Sequence, residues 1–412
     1  MLPATSTLCG VFSLLLAGSP IFYSPAPRGV CSNCCAIRER EDINFLLYTN
    51  KNPQKPQNLN LGDEKRLSKS NFDLQQPLAF YMHGFSESAT GENQSSQRLK
   101  DAFLKSGNYN VILVDWSPLT ALPWYTNAVE NLPSAARFIA RFLRFLVASG
   151  YQTRLIHLIG FSLGAEVAGF VGKQLLEWGV VLPRITGLDP PLPLFESYNG
   201  NHHLTHTCAH FVDVIHTDGG LLGNAEPMGH ADFYPNGGRA LQPGCVRQEI
   251  GNNRWLGIIS ELQRISYNFV GCSHQRAWEY FLESIERPYG FPVESCEPTK
   301  VSKKCKYGNG RAFMGMAADR RLRGKFFLVT NDAPPYGRDA ETSLAKYPSA
   351  TTTKTTQLPL LPAVEKINVA RGYDANTLRE TRHTKAATTI STVSNAPTKT
   401  ITGRKVANAK RI

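Results

Sequence analysis

The chain has 412 residues, of which 42% are hydrophobic, enough for a large folded core and too many for a protein that is disordered throughout. Its net charge of +12 is not evidence of a basic binding face, because residues 339–412 carry 12 Lys and Arg against 5 Asp and Glu and so supply +7 of it. We therefore expect no nucleic-acid partner.

The first element is a short apolar segment, residues 8–17, which is followed by small residues. It is too short to span a bilayer as a helix. We interpret residues 1–19 as a secretory signal peptide, and a buried N-terminal strand is the alternative. Its removal would take Cys9 away and leave eight cysteines, an even number that predicts disulfides in a secreted chain. The glycosylation sequon Asn93-Gln94-Ser95 agrees with secretion.

From about residue 40 to 337 the sequence alternates between short apolar runs and amphipathic stretches. Residues 78–82, 111–114, 155–159 and 211–215 are typical of buried strands, and residues 134–148 predict a helix with one apolar and one basic face. This alternation predicts an α/β fold with a mostly parallel central sheet and helices on both faces. We assign residues 20–338 to this domain.

The last segment, residues 339–412, has a different composition, with fifteen threonines, many lysines and few aromatic residues. It cannot bury enough apolar surface to offset its chain entropy. We predict a disordered tail whose basic charge could bind acidic polysaccharide.

The most informative stretch is Gly160-Phe161-Ser162-Leu163-Gly164, which follows an apolar strand and precedes a helical pattern that ends near Trp178. This G-x-S-x-G context is typical of a nucleophile elbow, a sharp turn from strand to helix that exposes the serine hydroxyl. We therefore predict Ser162 as a nucleophile.

A serine nucleophile needs a base, and the base needs an acid that orients it. In this fold the acid follows the nucleophile in the chain and the histidine comes last. Asp189 ends the next apolar stretch and is our candidate acid, with Asp213 and Asp218 as rivals. His274 is preferred over His216 as the base because of its order and placement.

Two backbone amides are needed to bind an oxyanion. Leu163, directly after the nucleophile, supplies the first, and Phe85 in the His83-Gly84-Phe85 turn supplies the second. Several histidines crowd residues 202–210, but that loop lacks a regular face, and so we predict no metal site and no cofactor.

Together these motifs resemble the pancreatic lipase family of secreted animal lipases, especially its insect members. The resemblance covers roughly residues 40–337 and rests on motifs in the expected order: His83-Gly84-Phe85, Val114-Asp115-Trp116, Gly160-Phe161-Ser162-Leu163-Gly164-Ala165, Gly187-Leu188-Asp189-Pro190, Val212-Asp213-Val214-Ile215-His216-Thr217-Asp218, the run from His230 to Gly238, Pro243-Gly244-Cys245 and Cys272-Ser273-His274. It implies an α/β-hydrolase fold, a Ser162-Asp189-His274 triad and oxyanion donors at Phe85 and Leu163.

In this family a disulfide closes off a lid, and Cys245 and Cys272 match that pair, which makes residues 246–271 the expected lid. Its apolar residues recur at helical spacing, as in an amphipathic helix that covers a pocket and turns toward lipid at an interface. The alternative is a helix that stays packed on the body. Cys296 and Cys305 resemble a further family disulfide, whereas Cys31, Cys34, Cys35 and Cys208 have no clear assignment.

The chain also departs from the pancreatic enzymes. The threonine-rich tail replaces their C-terminal β-sandwich domain, and Thr205 and Cys208 occupy the positions of calcium-binding aspartates, so we expect no such calcium. The long lid resembles triacylglycerol lipases, whereas the short loop between His216 and His230 resembles phospholipases that cleave at sn-1. We expect a secreted lipid esterase acting at a lipid surface, with triacylglycerol preferred over phospholipid, and keep a catalytically silent lipid-binding or yolk-type protein as the alternative.

Overall fold

The computed structural model of the chain describes residues 9–16, 19–195, 203–245, 271–293, 296, 306–307 and 310–338. All of them belong to one compact unit, Met1–Ala350. Residues 1–8, most of the expected lid, Cys305 and the predicted tail lie outside the described residues, as does any domain that would follow residue 338. The lid conformation, the disorder of the tail and the absence of a β-sandwich domain therefore stay predictions.

A nine-stranded sheet forms the centre of the fold, in the order β13-β10-β9-β8-β7-β5-β6-β3-β4. Its pairs are parallel except for β3 with β6 and β3 with β4, so one edge is antiparallel. The strands are β1 Phe12–Leu16, β2 Ser19–Tyr23, β3 Asn44–Tyr48, β4 Gln57–Leu59, β5 Leu78–Met82, β6 Asn110–Asp115, β7 Ile156–Phe161, β8 Arg184–Leu188, β9 Val212–Ile215, β10 Ala231–Pro235, β11 Lys306–Tyr307, β12 Gly310–Arg311 and β13 Gly324–Leu328.

Helices cover both faces of this sheet. They are α1 Glu39–Asp42, α2 Glu64–Lys69, α3 Ser95–Ser106, α4 Tyr125–Ala148, α5 Leu163–Glu177 and α6 Cys272–Glu286, with short 3-10 turns at Ser117–Leu119, Thr153–Leu155, His206–Cys208 and Gly315–Ala317. Strand β5 shows why helices are needed on both faces of the sheet, since its successive side chains are apolar and point to opposite faces. Phe80 and Met82 pack in the core with α4 and α5, whereas Ala79 and Tyr81 pack in the core with α3 and α6. The predicted α/β fold is confirmed.

Helix α4 is longer than its sequence pattern predicted. It begins at Tyr125, nine residues before the predicted start, because Ala128, Val129 and Leu132 continue the buried face on the far side of Pro133. A proline inside a helix removes a backbone hydrogen bond and normally ends the helix. The sequence pattern therefore did not predict the helical turns that precede Pro133. The basic face of the helix is exposed, as predicted: Arg137, Arg141 and Arg144.

The N-terminal segment is a strand pair. Strands β1 and β2 form an antiparallel hairpin, and Cys9 is disulfide-bonded to Cys35. A buried N-terminal strand was the alternative to a signal peptide for this segment. The segment does form a strand, but Phe12 and Leu14 are almost half exposed, so the strand is not buried. Cleavage after residue 19 would remove Cys9 and leave Cys35 without this partner; the signal peptide itself stays a prediction.

The remaining cysteines are mostly paired. Cys31 bonds to Cys34, and Cys245 bonds to Cys272 as the family resemblance implied. Cys296 is also disulfide-bonded, while Cys305, its expected partner, lies outside the described residues. Cys208 is a free and buried thiol. None of the described helices combines the length and the apolar character that crossing a membrane requires.

Candidate active site

Ser162 occupies a sharp turn between the end of β7 and the start of α5. Its φ of 54° and ψ of −124° are unusual for a residue with a side chain, which is the strained geometry of a nucleophile elbow. The neighbouring glycines are needed because the backbone is crowded: a Cβ on Gly160 would lie 2.1 Å from the Gly164 carbonyl oxygen, and one on Gly164 would lie 2.1 Å from that of Met82. The turn therefore brings α5 close to the end of β5.

His274 and Asp189 form a buried, hydrogen-bonded pair. His274 lies in the first turn of α6, and its Nδ1 is 2.6 Å from Oδ2 of Asp189, which follows β8. The other carboxylate oxygen of Asp189 accepts hydrogen bonds from the backbone N–H groups of Thr217 and Asp218, at 2.8 and 3.1 Å. Asp189 is thus held from two sides, and it holds the imidazole with Nε2 free to face another group.

The rival residues have other partners. The Nε2 of His216 is 3.0 Å from Asp232 Oδ1, and its Nδ1 is 2.7 Å from the carbonyl oxygen of Asn224, so both ring nitrogens are engaged. Asp213 accepts two 2.8 Å hydrogen bonds from the guanidinium of buried Arg184. His216 and Asp213 are therefore both engaged by structural partners in the core.

Ser162 and His274 line the same cavity, which has a volume of about 410 Å³. Both are at least nine-tenths buried. Among the hydrogen bonds of the described residues there is none between the Ser162 hydroxyl and the imidazole; in enzymes without bound substrate such contacts are often long and tighten when substrate binds. Most of the cavity wall is apolar: Ile21, Phe85, Tyr125, Phe161, Pro191, Pro193, Leu222 and Trp278.

Two backbone amides near the nucleophile turn have no hydrogen-bond acceptor among the described residues. Leu163 is the first residue of α5, where the N–H has no partner within the helix. Phe85 lines the cavity, and within the described part of the chain its N–H also donates no hydrogen bond. Unsatisfied amides beside a nucleophile are what binding of an oxyanion requires.

The turn that carries Phe85 is held by a residue that the sequence did not single out. Glu87 Oε2 accepts a hydrogen bond from the Gly84 N–H at 3.1 Å and another from the Ser95 hydroxyl at 2.8 Å. The Tyr81 hydroxyl in turn donates to Ser95 Oγ at 2.7 Å. A chain of hydrogen bonds therefore links β5, α3 and the turn. No motif in the sequence marks the two contacts of Glu87 with Gly84 and Ser95.

A second carboxylate lies beside the histidine and aspartate. Asp218, Asp189 and His274 each present one oxygen or nitrogen within 4.8 Å of the others. Burial, and then the charge of Asp189, raise the pKa of Asp218 to about 7, although His274 opposes this effect. Oδ2 of Asp218 accepts a 3.3 Å hydrogen bond from the N–H of Leu222, while Oδ1 has no partner among the described residues.

A further buried carboxylate lies one helical turn after the nucleophile. Glu166 is fully buried in α5, and its Oε2 accepts a 2.6 Å hydrogen bond from the N–H of Leu204. Burial raises its pKa to about 8, against the lowering effects of that hydrogen bond and of Lys173. Glu166 fastens the segment that follows Asp189 to the nucleophile helix.

Comparison with known proteins identifies the family of the chain. A family profile named Lipase matches residues 30–336, which is most of the chain. The chain belongs to this Lipase family. The bovine pancreatic lipase-related protein 2 is 39% identical over 62% of the chain and 54% of its own length.

Two human relatives show that members of this family differ in activity. Pancreatic triacylglycerol lipase is 35% identical over 72% of the chain and 66% of its own length. The inactive pancreatic lipase-related protein 1 is 36% identical over 73% of the chain and 66% of its own length. The chain thus spans roughly half to two-thirds of the relatives it matches, and family membership alone does not decide whether it is active.

Proposed function

We propose that the chain is a serine-dependent carboxylic ester hydrolase that acts on lipids through an acyl-enzyme on Ser162. The observation that carries the proposal is the 2.6 Å hydrogen bond from His274 Nδ1 to Asp189, which directs the other ring nitrogen of His274 into the cavity that Ser162 lines. A nucleophile turn, an oriented base and unsatisfied amides in one apolar cavity together fit acyl transfer.

In the proposed reaction, Ser162 Oγ attacks the ester carbonyl while His274 takes its proton, and Asp189 stabilises the imidazolium. The N–H groups of Phe85 and Leu163 bind the oxyanion, at roughly 3 kcal/mol of transition-state stabilisation each. The imidazolium then protonates the departing alcohol. Water, activated by the same base, cleaves the acyl-enzyme and restores the serine.

Triacylglycerol is the proposed substrate class. The cavity is mostly apolar, and the Cys245–Cys272 disulfide closes a loop of lid length beside it. The name of the human triacylglycerol lipase supports the same choice. Phospholipid cleavage at sn-1 is the second candidate, favoured by the short segment of thirteen residues between His216 and His230.

The test uses Ser162→Ala with Ser68→Ala as its control, since Ser68 is exposed on the short helix α2. A fluorophosphonate probe should label the wild type and the control and leave Ser162→Ala unlabelled. Triolein and phosphatidylcholine are then compared, and the position of the released acyl chain is identified. A wild-type chain that is folded yet neither labelled nor active would instead support the silent lipid-binding alternative.

We also propose that the protein is secreted and works at a lipid surface. Several disulfides support an oxidising compartment, since such bonds are rare in the cytosol. Contact of the basic tail, residues 339–412, with acidic polysaccharide stays a proposal. Salt-sensitive retention on heparin that is lost on deletion of the tail would support it.

A further inference from the structure

The chain contains a single Asn-x-Ser/Thr sequon in its 412 residues, and the fold brings it to the candidate active site. Asn93 is exposed and belongs to the residues that line the cavity with Ser162 and His274. The other two residues of the sequon, Gln94 and Ser95, are buried. The one sequon asparagine therefore lies at the rim of the cavity.

We propose that an N-linked glycan on Asn93 lies at this rim and restricts contact between lipid aggregates and Ser162, while single ester molecules still enter. The inference rests on the proposed function, and it adds a modification site that controls which physical form of the substrate is cleaved.

The local backbone gives such a glycan a fixed origin. Asn93 has a φ of 60°, a left-handed conformation that asparagine and aspartate tolerate better than other side chains. The next residue anchors the loop, because Gln94 Oε1 accepts a hydrogen bond from the Ser88 N–H at 2.9 Å and Gln94 N–H donates to Gly91 at 3.3 Å. A group attached at position 93 would therefore stay at the rim.

Ser95 cannot be used to remove the sequon without disturbing the site. Its hydroxyl is buried between the Tyr81 hydroxyl and Glu87, the residue that also binds the Gly84 N–H. A change at position 95 would thus alter the turn that carries Phe85. Substitution at Asn93 avoids this problem, because Asn93 is exposed.

The physical effect of the glycan depends on the form of the substrate. A glycan is bulky and strongly hydrated. A lipid droplet meets the cavity as an extended surface, and it would have to displace the sugar or strip its water, which costs free energy. A dissolved ester needs only the opening of the cavity, which is about 410 Å³ in volume. The glycan should therefore reduce activity on emulsions and spare activity on dissolved esters.

The test uses full-length protein secreted from eukaryotic cells. Its mass is measured before and after peptide-N-glycosidase F, which removes N-glycans and leaves aspartate in place of the asparagine. Asn93→Asp is therefore the matched control, because it reproduces the treated protein without ever carrying a glycan. Each form is assayed on dissolved p-nitrophenyl butyrate and on emulsified triolein.

We expect a loss of mass and a rate on p-nitrophenyl butyrate that changes far less than the rate on triolein. The rate on triolein should rise at least about fivefold, which corresponds to roughly 1 kcal/mol. Asn93→Asp should match the treated protein. No loss of mass, or the same ratio of the two rates before and after treatment, would overturn the inference. If neither form hydrolyses p-nitrophenyl butyrate, the hydrolase proposal itself fails, and the role of the glycan fails with it, whatever the mass shows.

Discussion

Glu166→Gln should remove a pH dependence of stability that Glu166 imposes on the whole fold. Burial raises the pKa of this carboxyl from 4.5 to about 8. Between these values the folded protein keeps a proton that the unfolded chain has released. The free energy of unfolding therefore falls as pH rises through this window, and the loss is complete above pH 8.

At 1.36 kcal/mol per pKa unit, the rise of the Glu166 pKa from 4.5 to about 8 corresponds to a loss of about 5 kcal/mol in the free energy of unfolding. This is a large part of the roughly 5–15 kcal/mol that stabilises a typical domain. Glutamine has the same shape and no charge, and its carbonyl oxygen can still accept the Leu204 N–H. The variant should match the wild type near pH 4 and become progressively more stable than it up to pH 8.

Urea unfolding, followed by tryptophan fluorescence at pH 4, 6, 8 and 9, would measure the free energy of unfolding of the wild type and of Glu166→Gln. The contributions of other titrating groups cancel when the two values are subtracted. Glu177→Gln is the control, since Glu177 is an exposed carboxylate at the end of the same helix. It should show no such trend. A difference between Glu166→Gln and wild type that stays constant from pH 4 to 8 would refute the reasoning.

Three further predictions concern the elbow, the core and the neighbouring carboxylate. Gly164→Ala places a Cβ 2.1 Å from the Met82 carbonyl oxygen, so it should lower kcat at least about 100-fold as the turn shifts, whereas unaltered kcat would contradict the crowding. Arg184→Met leaves Asp213 buried without its cation, which should cost about 3–5 kcal/mol in urea unfolding; a change below about 1 kcal/mol would show that the pair is dispensable. Asp218 has a pKa of about 7 and becomes negative above that pH, when it should stabilise the imidazolium formed during catalysis. The ratio of wild-type to Asp218→Asn kcat should therefore rise as pH increases from 6 to 9, by up to roughly tenfold, and a ratio independent of pH would exclude this role.

Much of the fold was predictable because its strands are buried on both faces. Residues 78–82 are continuously apolar, and the structure has β5 at Leu78–Met82. The nucleophile turn was also predictable, since its G-x-S-x-G pattern is contiguous in the sequence, although part of the crowding that requires Gly164 comes from Met82 on β5. The helix after Ser162 ends at Glu177, one residue before the predicted end at Trp178. Local chemistry was sufficient for these elements.

Other features depend on contacts between distant segments. Glu166 binds the N–H of Leu204, which is 38 residues away in the chain, so this carboxylate has no local signature. Disulfide connectivity is likewise not encoded in spacing. The Cys9–Cys35 pair was not expected, because the sequence assigned Cys9 to a cleaved segment. These outcomes need the folded arrangement of the chain.

The disulfide at Cys272 has a mechanical consequence for the general base. Cys272 begins α6 two residues before His274, and its bond to Cys245 joins both ends of the enclosed loop at one point. Ser273, between them, accepts a hydrogen bond from the Gln242 N–H at 3.0 Å. These covalent and polar ties immobilise the first turn of α6, which carries His274. The position of the imidazole is therefore set by this disulfide at one end of the helix turn and by the Asp189 carboxylate at Nδ1.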